Sequence, residues 1–281
     1  MKPSDKAPSA VGDESAGAAA FTAVAPLYDH LMHDVPYAGW AEYLHEILTV
    51  HGAAPKSVLE VACGTGNMAE KLHEEGMRVT GIDIAPGMIA EARRKAAEAG
   101  LEIAYHVQDV AELDLPGETF DLCVSLFDSL NYVVDPARLA VGMRRVFEHL
   151  RPNGLFVFDL NAEYALRNKF FDQNNVSSDD RLKYDWVSDY DPKTRLCRVV
   201  MLFRLTEPDG AVREFEEIHW QFAYREQEIC EMLAAAGFTG IATYQAYSLR
   251  GTSPTSDRIF YVARRPGTGA LTPPLPRPQG G

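Results

Sequence analysis

The sequence predicts an α/β fold: a parallel sheet with helices on both faces and an antiparallel β insertion late in the chain. Three observations lead there. Apolar strand-like runs alternate with helical periodicity as far as residue 160, the pattern of parallel βαβ units. A glycine turn, Gly64-Thr65-Gly66, follows directly on the first apolar run and opens a helix. After residue 180 come three segments rich in aromatic and β-branched residues, parted by turn signals.

The elements follow in order. Residues 1–20 mix Ser, Ala, Gly, Pro and charges without periodicity and are expected to form a disordered arm. Trp40, Tyr43, Leu44, Ile47 and Leu48 fall at helical spacing and place a helix before the first strand, Val58–Val61. Val79–Ile82 reads as a second strand closed by Asp83. Pro86 suits the first turn of a helix running to Ala99, with Gly100 as its stop. A third strand, Ile103–Val107, leads into Gln108-Asp109-Val110. A fourth begins at Phe120 and ends in the cluster Asp128-Ser129-Leu130-Asn131-Tyr132. Asp135-Pro136 starts a helix faced by Leu139, Met143, Val146, Phe147 and Leu150. Arg151-Pro152-Asn153-Gly154 then turns the chain into a fifth strand, Leu155–Leu160.

The insertion spans about 180–224, with strands near 182–190, 195–206 and 212–224. Asp191-Pro192-Lys193 and Pro208-Asp209-Gly210 separate them, so an antiparallel meander is expected. A helix carrying Ile229, Met232, Leu233 and Ala236 stops at Gly237, and strands near 241–249 and 258–264 complete the sheet. One domain is therefore expected over 21–265, followed by a disordered proline-rich tail at 266–281.

Composition narrows the function. The chain has 281 residues, 46% of them hydrophobic, enough for a sizeable core. A net charge of −13, from 27 basic and 40 acidic residues, disfavours nucleic acid as a partner. The short basic run Arg93-Arg94-Lys95 reads as a solvated helix face. Cys63, Cys123, Cys197 and Cys230 show neither metal-ligand spacing nor a disulfide framework, and no metal is expected. No apolar run approaches a membrane span, and the N-terminus lacks a basic start followed by an apolar core. A cytoplasmic protein with reduced thiols is expected.

The glycine turn points to a nucleoside. Gly64 and Gly66 permit a sharp turn and a close approach to a ligand, and the following helix aims its free N–H groups there. Asp83 can accept hydrogen bonds from vicinal ribose hydroxyls. Gly64–Ala69 also fits the loose dinucleotide pattern G-x-G-x-x-G/A, so an NAD-dependent oxidoreductase stands as an alternative. Four features favour another reading: Glu60 inside the first strand, Gln108-Asp109-Val110 after the third, the cluster ending the fourth, and the Leu150–Gly154 turn into the fifth.

As an ordered set these segments resemble the motifs of the class I S-adenosylmethionine-dependent methyltransferases, from about residue 26 to 265. The likeness is greatest to small-molecule members such as the amino-sugar N-methyltransferases. It implies a Rossmann-like, seven-stranded sheet whose final strand is antiparallel, with the meander over the site's mouth. The usual first glycine of the loop is Ala62 here, and an ordinary β conformation is expected at that alanine.

The resemblance implies S-adenosyl-L-methionine as cofactor. Glu60 and the backbone of Ala62, Cys63, Gly64 and Gly66 would face its methionine end, with Tyr28 closing over it. Asp83 would hold the ribose and Ile84 and Met88 would pack on the adenine. Asp109 and the Val110 N–H would read the adenine edge, and Leu126 would touch the cofactor. Asp128, His219 and Tyr132 are the catalytic candidates, the first two as proton acceptors, with Asn131, Tyr190 and Trp220 nearby. The acceptor is expected to be a small molecule methylated at nitrogen or oxygen; a protein or RNA acceptor, or cofactor binding without turnover, are alternatives. The aromatic meander would serve as a lid or as the seam of a homodimer.

Overall fold

The structure, a computed structural model, describes residues 21–267 apart from residues 22 and 179. The arm expected at 1–20, and the tail beyond residue 267, lie outside the described residues. The strands are Ser57–Val61 (β1), Arg78–Asp83 (β2), Ala104–Val107 (β3), Phe120–Ser125 (β4), Leu150–Asn161 (β5), Gln173–Asn174 (β6), Leu182–Asp191 (β7), Leu196–Thr206 (β8), Val212–Phe222 (β9), Thr239–Gln245 (β10) and Arg258–Arg264 (β11). The helices are Tyr28–Leu31 (α1), Tyr37–Val50 (α2), Asn67–Glu74 (α3), Pro86–Ala99 (α4), Pro136–His149 (α5), Glu163–Arg167 (α6) and Glu226–Ala236 (α7).

A seven-stranded sheet has the order β3-β2-β1-β4-β5-β11-β10. β1 to β5 pair in parallel, and β11 is antiparallel to both neighbours, β5 and β10. Every residue of β1 is buried, which is why it reads as an unbroken apolar run with Glu60 as its one acid. One apolar cluster covers each face of the sheet: α2, α3 and α4 pack on one side, α5 and α7 on the other. The expected helix boundaries hold where chemistry dictates them. Pro86 opens α4 and left-handed Gly100 ends it. Asp135 caps α5 by accepting the Ala137 amide at 2.8 Å.

The insertion is a second sheet, in the order β6-β7-β8-β9. Alternation along β8 buries Cys197, Val199, Met201, Phe203 and Leu205 over a core of its own. β10 begins and ends earlier than expected, at Thr239 and Gln245.

The segment from Phe21 to α1 bridges the two sheets. The Glu217 carboxylate on β9 accepts the backbone amides of Phe21 (3.0 Å), Ala23 (2.7 Å) and Val24 (3.0 Å), and the His219 Nε2 lies 2.8 Å from it. At the other end, Asp29 accepts from Thr65 Oγ1 (2.5 Å) and Asn67 Nδ2 (3.0 Å) and pairs with Lys95 at 2.7 Å. Lys95 is therefore not part of a solvated face, as expected from the basic run; its ammonium holds this strap to the glycine turn.

Burial pushes the Glu217 carboxyl up, but the His219 contact and the Val24 and Ala23 amides outweigh it and hold the pKa below the ordinary 4.5. A folded pKa below the unfolded one means that the clasp contributes in full above that value and fades as pH falls through the lower, folded value. Glu217→Ala should cost on the order of 3 kcal/mol, because three amides and an imidazole lose their acceptor. It should also flatten the acid limb of the stability curve, which urea melts of both proteins across the acid range will measure.

Candidate active site

A cavity of about 1020 Å³ opens at the carboxyl edge of the parallel strands. Its floor comes from Val61 and Ala62 at the end of β1, Asp83 and Ile84 at the end of β2, Asp109 and Val110 after β3, and Phe127 and Asp128 after β4. The roof is Phe21, Val24 and Tyr28 of the strap, and the far wall is Tyr184, Trp186 and Met201 of the insertion. This edge is where open α/β sheets bind their ligands.

Ala62 corrects an expectation. Its φ is +56°, in the left-handed region and not in the β region. The reason lies in the chain path: β1 must leave the sheet after Val61 while the Cys63 amide still bonds to the Ile82 carbonyl at 2.9 Å. Gly64 (φ +55°) and Gly66 (φ +83°) continue the turn into α3. The space at Gly66 is occupied from within the protein, since a Cβ there would lie 2.3 Å from Tyr105 Oη. Tyr28 sits above Gly64, its Cε1 4.0 Å from where a Cβ would stand.

Asp83 ties this turn to the next. Its Oδ2 accepts the Gly64 amide and its Oδ1 the Ala85 amide, each at 2.8 Å. Burial raises its pKa, and those two amides oppose the rise. Asp109 accepts the Ala111 amide at 2.7 Å and pairs with Arg138 at 2.9 Å. Ile84, Met88, Asp109 and Val110 all reach the cavity.

At the end of β4, Phe127 (φ +63°) and Asp128 (φ +52°) are both left-handed. Packing and bonding hold them there. The Phe127 ring lies 4.0 Å from that of Trp40, and the Asp128 amide donates to Asp159 at 2.9 Å. The Asp128 carboxylate faces the cavity but is bound on both oxygens, by Arg258 and by Gln221, each at 2.8 Å. Arg258 also pairs with Asp159, whose burial outweighs the arginine and raises its pKa to about 6. Tyr132 also lines the cavity.

Other sequence candidates lie away from the lining. Leu126 is 3% exposed and packs into the core, because the chain turns between it and Phe127. His219 shares the strand face of Glu217 and Gln221 and is enclosed by Glu217 and the Phe21 and Tyr132 rings. Trp220, on the alternate face, is the β9 residue that reaches the cavity. Asn131 spends its amide on the Asn161 and Phe222 carbonyls, and Tyr190 donates to Glu163 at 3.0 Å. Glu60 lies beneath the turn, 3% exposed, and Cys63, Gly64 and Gly66 are likewise outside the lining. Sequence reasoning missed Asp29 and Lys95, whose partners are distant in the chain, and Arg258, which resembled any charged end of a strand.

Strand order, the left-handed turn after β1 and the acid closing β2 define a Rossmann-like enzyme of the nucleoside-binding class. Residues 58–154 match the methyltransferase domain family. A putative methyltransferase of Geobacillus sp. (strain WCH70) is 32% identical over 240 residues, covering 85% of this chain and 96% of its own length. The dTDP-3-amino-3,4,6-trideoxy-α-D-glucopyranose N,N-dimethyltransferase of Streptomyces venezuelae is 27% identical over 219 residues, covering 76% of this chain and 89% of its own. The crystal structure of an S-adenosylmethionine-dependent methyltransferase from Clostridium acetobutylicum superposes with a TM-score of 0.76 at 28% identity, covering 87% of this chain and 98% of that one. This chain belongs to the S-adenosylmethionine-dependent methyltransferases, which displaces the dinucleotide reading of Gly64–Ala69.

The left-handed alanine makes a measurable prediction. Ala62→Gly removes about 1–2 kcal/mol of backbone strain and adds about 0.5–1 kcal/mol of unfolded-chain entropy. The variant should gain roughly 0.5–1 kcal/mol in a urea melt; a loss of stability would contradict the strained conformation.

Proposed function

We propose that this protein transfers a methyl group from S-adenosylmethionine to the nitrogen of a small-molecule acceptor held against the insertion sheet. The observation that carries this reading is that one continuous cavity joins the Asp83–Asp109 edge and the aromatic insertion wall. Its volume is at the upper end of small-molecule sites, about 300–1,000 Å³, which leaves room for two ligands.

The residues present fit the cofactor. Each Asp83 oxygen takes one amide, which leaves lone pairs for two vicinal hydroxyls. Ile84, Met88 and Val110 supply apolar walls for a purine. Glu60 Oε2 is buried without a hydrogen-bond partner among the described residues. Burial, with the Asp83 charge second, lifts its pKa to about 8, so the carboxyl holds a proton at neutral pH that a nearby ammonium would displace. Bound there, S-adenosylmethionine supplies an electrophilic methyl carbon on a cationic sulfur that leaves readily.

The chain's own part is to position the reactants and exclude water. Tyr28 and Phe21 cover the cavity, and Asp83 orients the ribose. Asp128 does not act as the base in this reading, because Arg258 and Gln221 bind both of its oxygens. Nor does His219, which is enclosed on the far side of Phe21. A neutral amine, which brings its own lone pair, needs no such base. Methylation of a hydroxyl is a second reading, favoured by the pairing of His30 with Asp180 (2.9 Å) on the cavity wall. No helix among the described residues is long and apolar enough to cross a membrane. The four cysteines are free thiols, which supports a reducing cytoplasm as the compartment. The outer face of the insertion exposes Val187, Leu202 and Val212, which supports a homodimer through this sheet; light scattering of Leu202→Glu against the native protein tests it.

Calorimetry with S-adenosylhomocysteine, NAD and NADP tests the cofactor. Only the homocysteine compound should bind, and Asp83→Ala should weaken it by about 1–3 kcal/mol. Repeated at pH 7 in buffers of different ionisation enthalpy, the titration should show release of roughly one proton by the native protein and none by Glu60→Gln. Dinucleotide binding would refute the assignment, and the same proton release from both proteins would refute the role of Glu60.

A further inference from the structure

Six aspartates line the cavity: Asp34, Asp83, Asp109, Asp128, Asp135 and Asp180. Arg138 and Arg258 are the arginines among the lining residues, and no lysine joins them among the described residues. Both guanidiniums are already engaged, Arg138 by Asp109 at 2.9 Å and Arg258 by Asp128 at 2.8 Å and by Asp159. The two imidazoles on the wall are engaged as well: His30 is 2.9 Å from Asp180, and His33 is 3.2 Å from Asp34. Six acids against two arginines leave a formal balance of −4 with the histidines neutral.

The acceptor end is aromatic. Phe170 and Phe171 follow α6, while Tyr184 and Trp186 project from β7 with ring centroids 5.3 Å apart. The Trp186 Nε1 is buried and has no hydrogen-bond partner among the described residues. Met201 completes this wall. An anion entering such a space loses water and meets no cation that is not already paired, while like charge repels it. A cation meets the opposite field, and aromatic faces attract it further.

On the reading given above, we propose that the acceptor is an unphosphorylated amine with a flat apolar body, and that this site rejects nucleoside-diphosphate-linked sugars. The rejection separates this chain from its Streptomyces relative, whose name specifies a dTDP-linked amino sugar. Trp186 and Tyr184 would stack on the flat body. Asp180, a partly exposed acid of the lining, would draw in the ammonium.

The test uses the full chain saturated with S-adenosylhomocysteine, titrated calorimetrically with phenethylamine, tryptamine and dTDP. At least one amine should saturate the site, and dTDP should bind at least about tenfold more weakly. Trp186→Leu or Asp180→Asn should weaken amine binding by about three- to tenfold, through lost stacking or lost charge. Asp180→Asn keeps the test valid if the tryptophan variant fails to fold. The proposal is overturned if dTDP binds as tightly as the amines, if neither amine saturates, or if every folded variant leaves amine affinity unchanged. If S-adenosylhomocysteine itself does not bind, the methyltransferase reading of this cavity fails instead, and that first titration separates the two failures.

Discussion

The site depends on one buried carboxylate bonded to two backbone amides. Asp83 closes β2 and takes the Gly64 amide on one oxygen and the Ala85 amide on the other. A carboxylate at that depth is stable only while those donors remain, and the donors stay in place only while the acid is there. This mutual requirement fixes the turn after β1 against the turn after β2. It is these two turns, more than any single side chain, that give the cavity its floor. The left-handed Ala62 is the cost of that arrangement. Tyr105, filling the space that a side chain at residue 66 would need, keeps α3 close behind it.

A second set of bonds closes the space from above. Asp29 anchors the strap to the glycine turn and Glu217 anchors it to the insertion, so Phe21 and Tyr28 are held over the cavity from both ends. His219 supports the Glu217 end. A histidine that looked like a base is thus more readily explained as part of a hinge pin. Arg258 does comparable work below, joining Asp128 and Asp159 across β4, β5 and β11. Acids facing the ligand are therefore mostly committed to holding the walls, and what they present inward is field more than proton chemistry.

Much of the fold was legible in the sequence because its signals are local. Pro86 with Gly100, Asp135 with Pro136, and Gly237 mark helix ends through backbone chemistry that needs no distant partner. The insertion strands were legible by alternation and turn residues. Alternation, however, assigns residues to faces without saying what covers them. His219 shares its sheet face with Trp186 and Met201 of the cavity wall, but Phe21 of the strap, distant in the chain, packs over it. Leu126 and Phe127 are parted by a left-handed turn that no residue type announces. Lys95 and Asp29 were illegible for another reason: each is explained only by contacts made across dozens of residues. The conformation of Ala62 was hidden because a ladder bond, from Cys63 to Ile82, overrides the preference of alanine itself.

The strap also has a place in time. Its outer anchor joins Phe21, Ala23 and Val24 to Glu217, and the guanidinium that braces the floor belongs to Arg258. During synthesis, β1 to β4 and the glycine turn leave the ribosome first, and β5 follows. A nascent chain of two hundred residues already carries Asp83 and its two amides, but has no Glu217 to fasten the strap and no β11 to complete the sheet. The pocket floor is translated long before its roof can latch, so a finished, covered site appears only after residues 217 and 258 have been made.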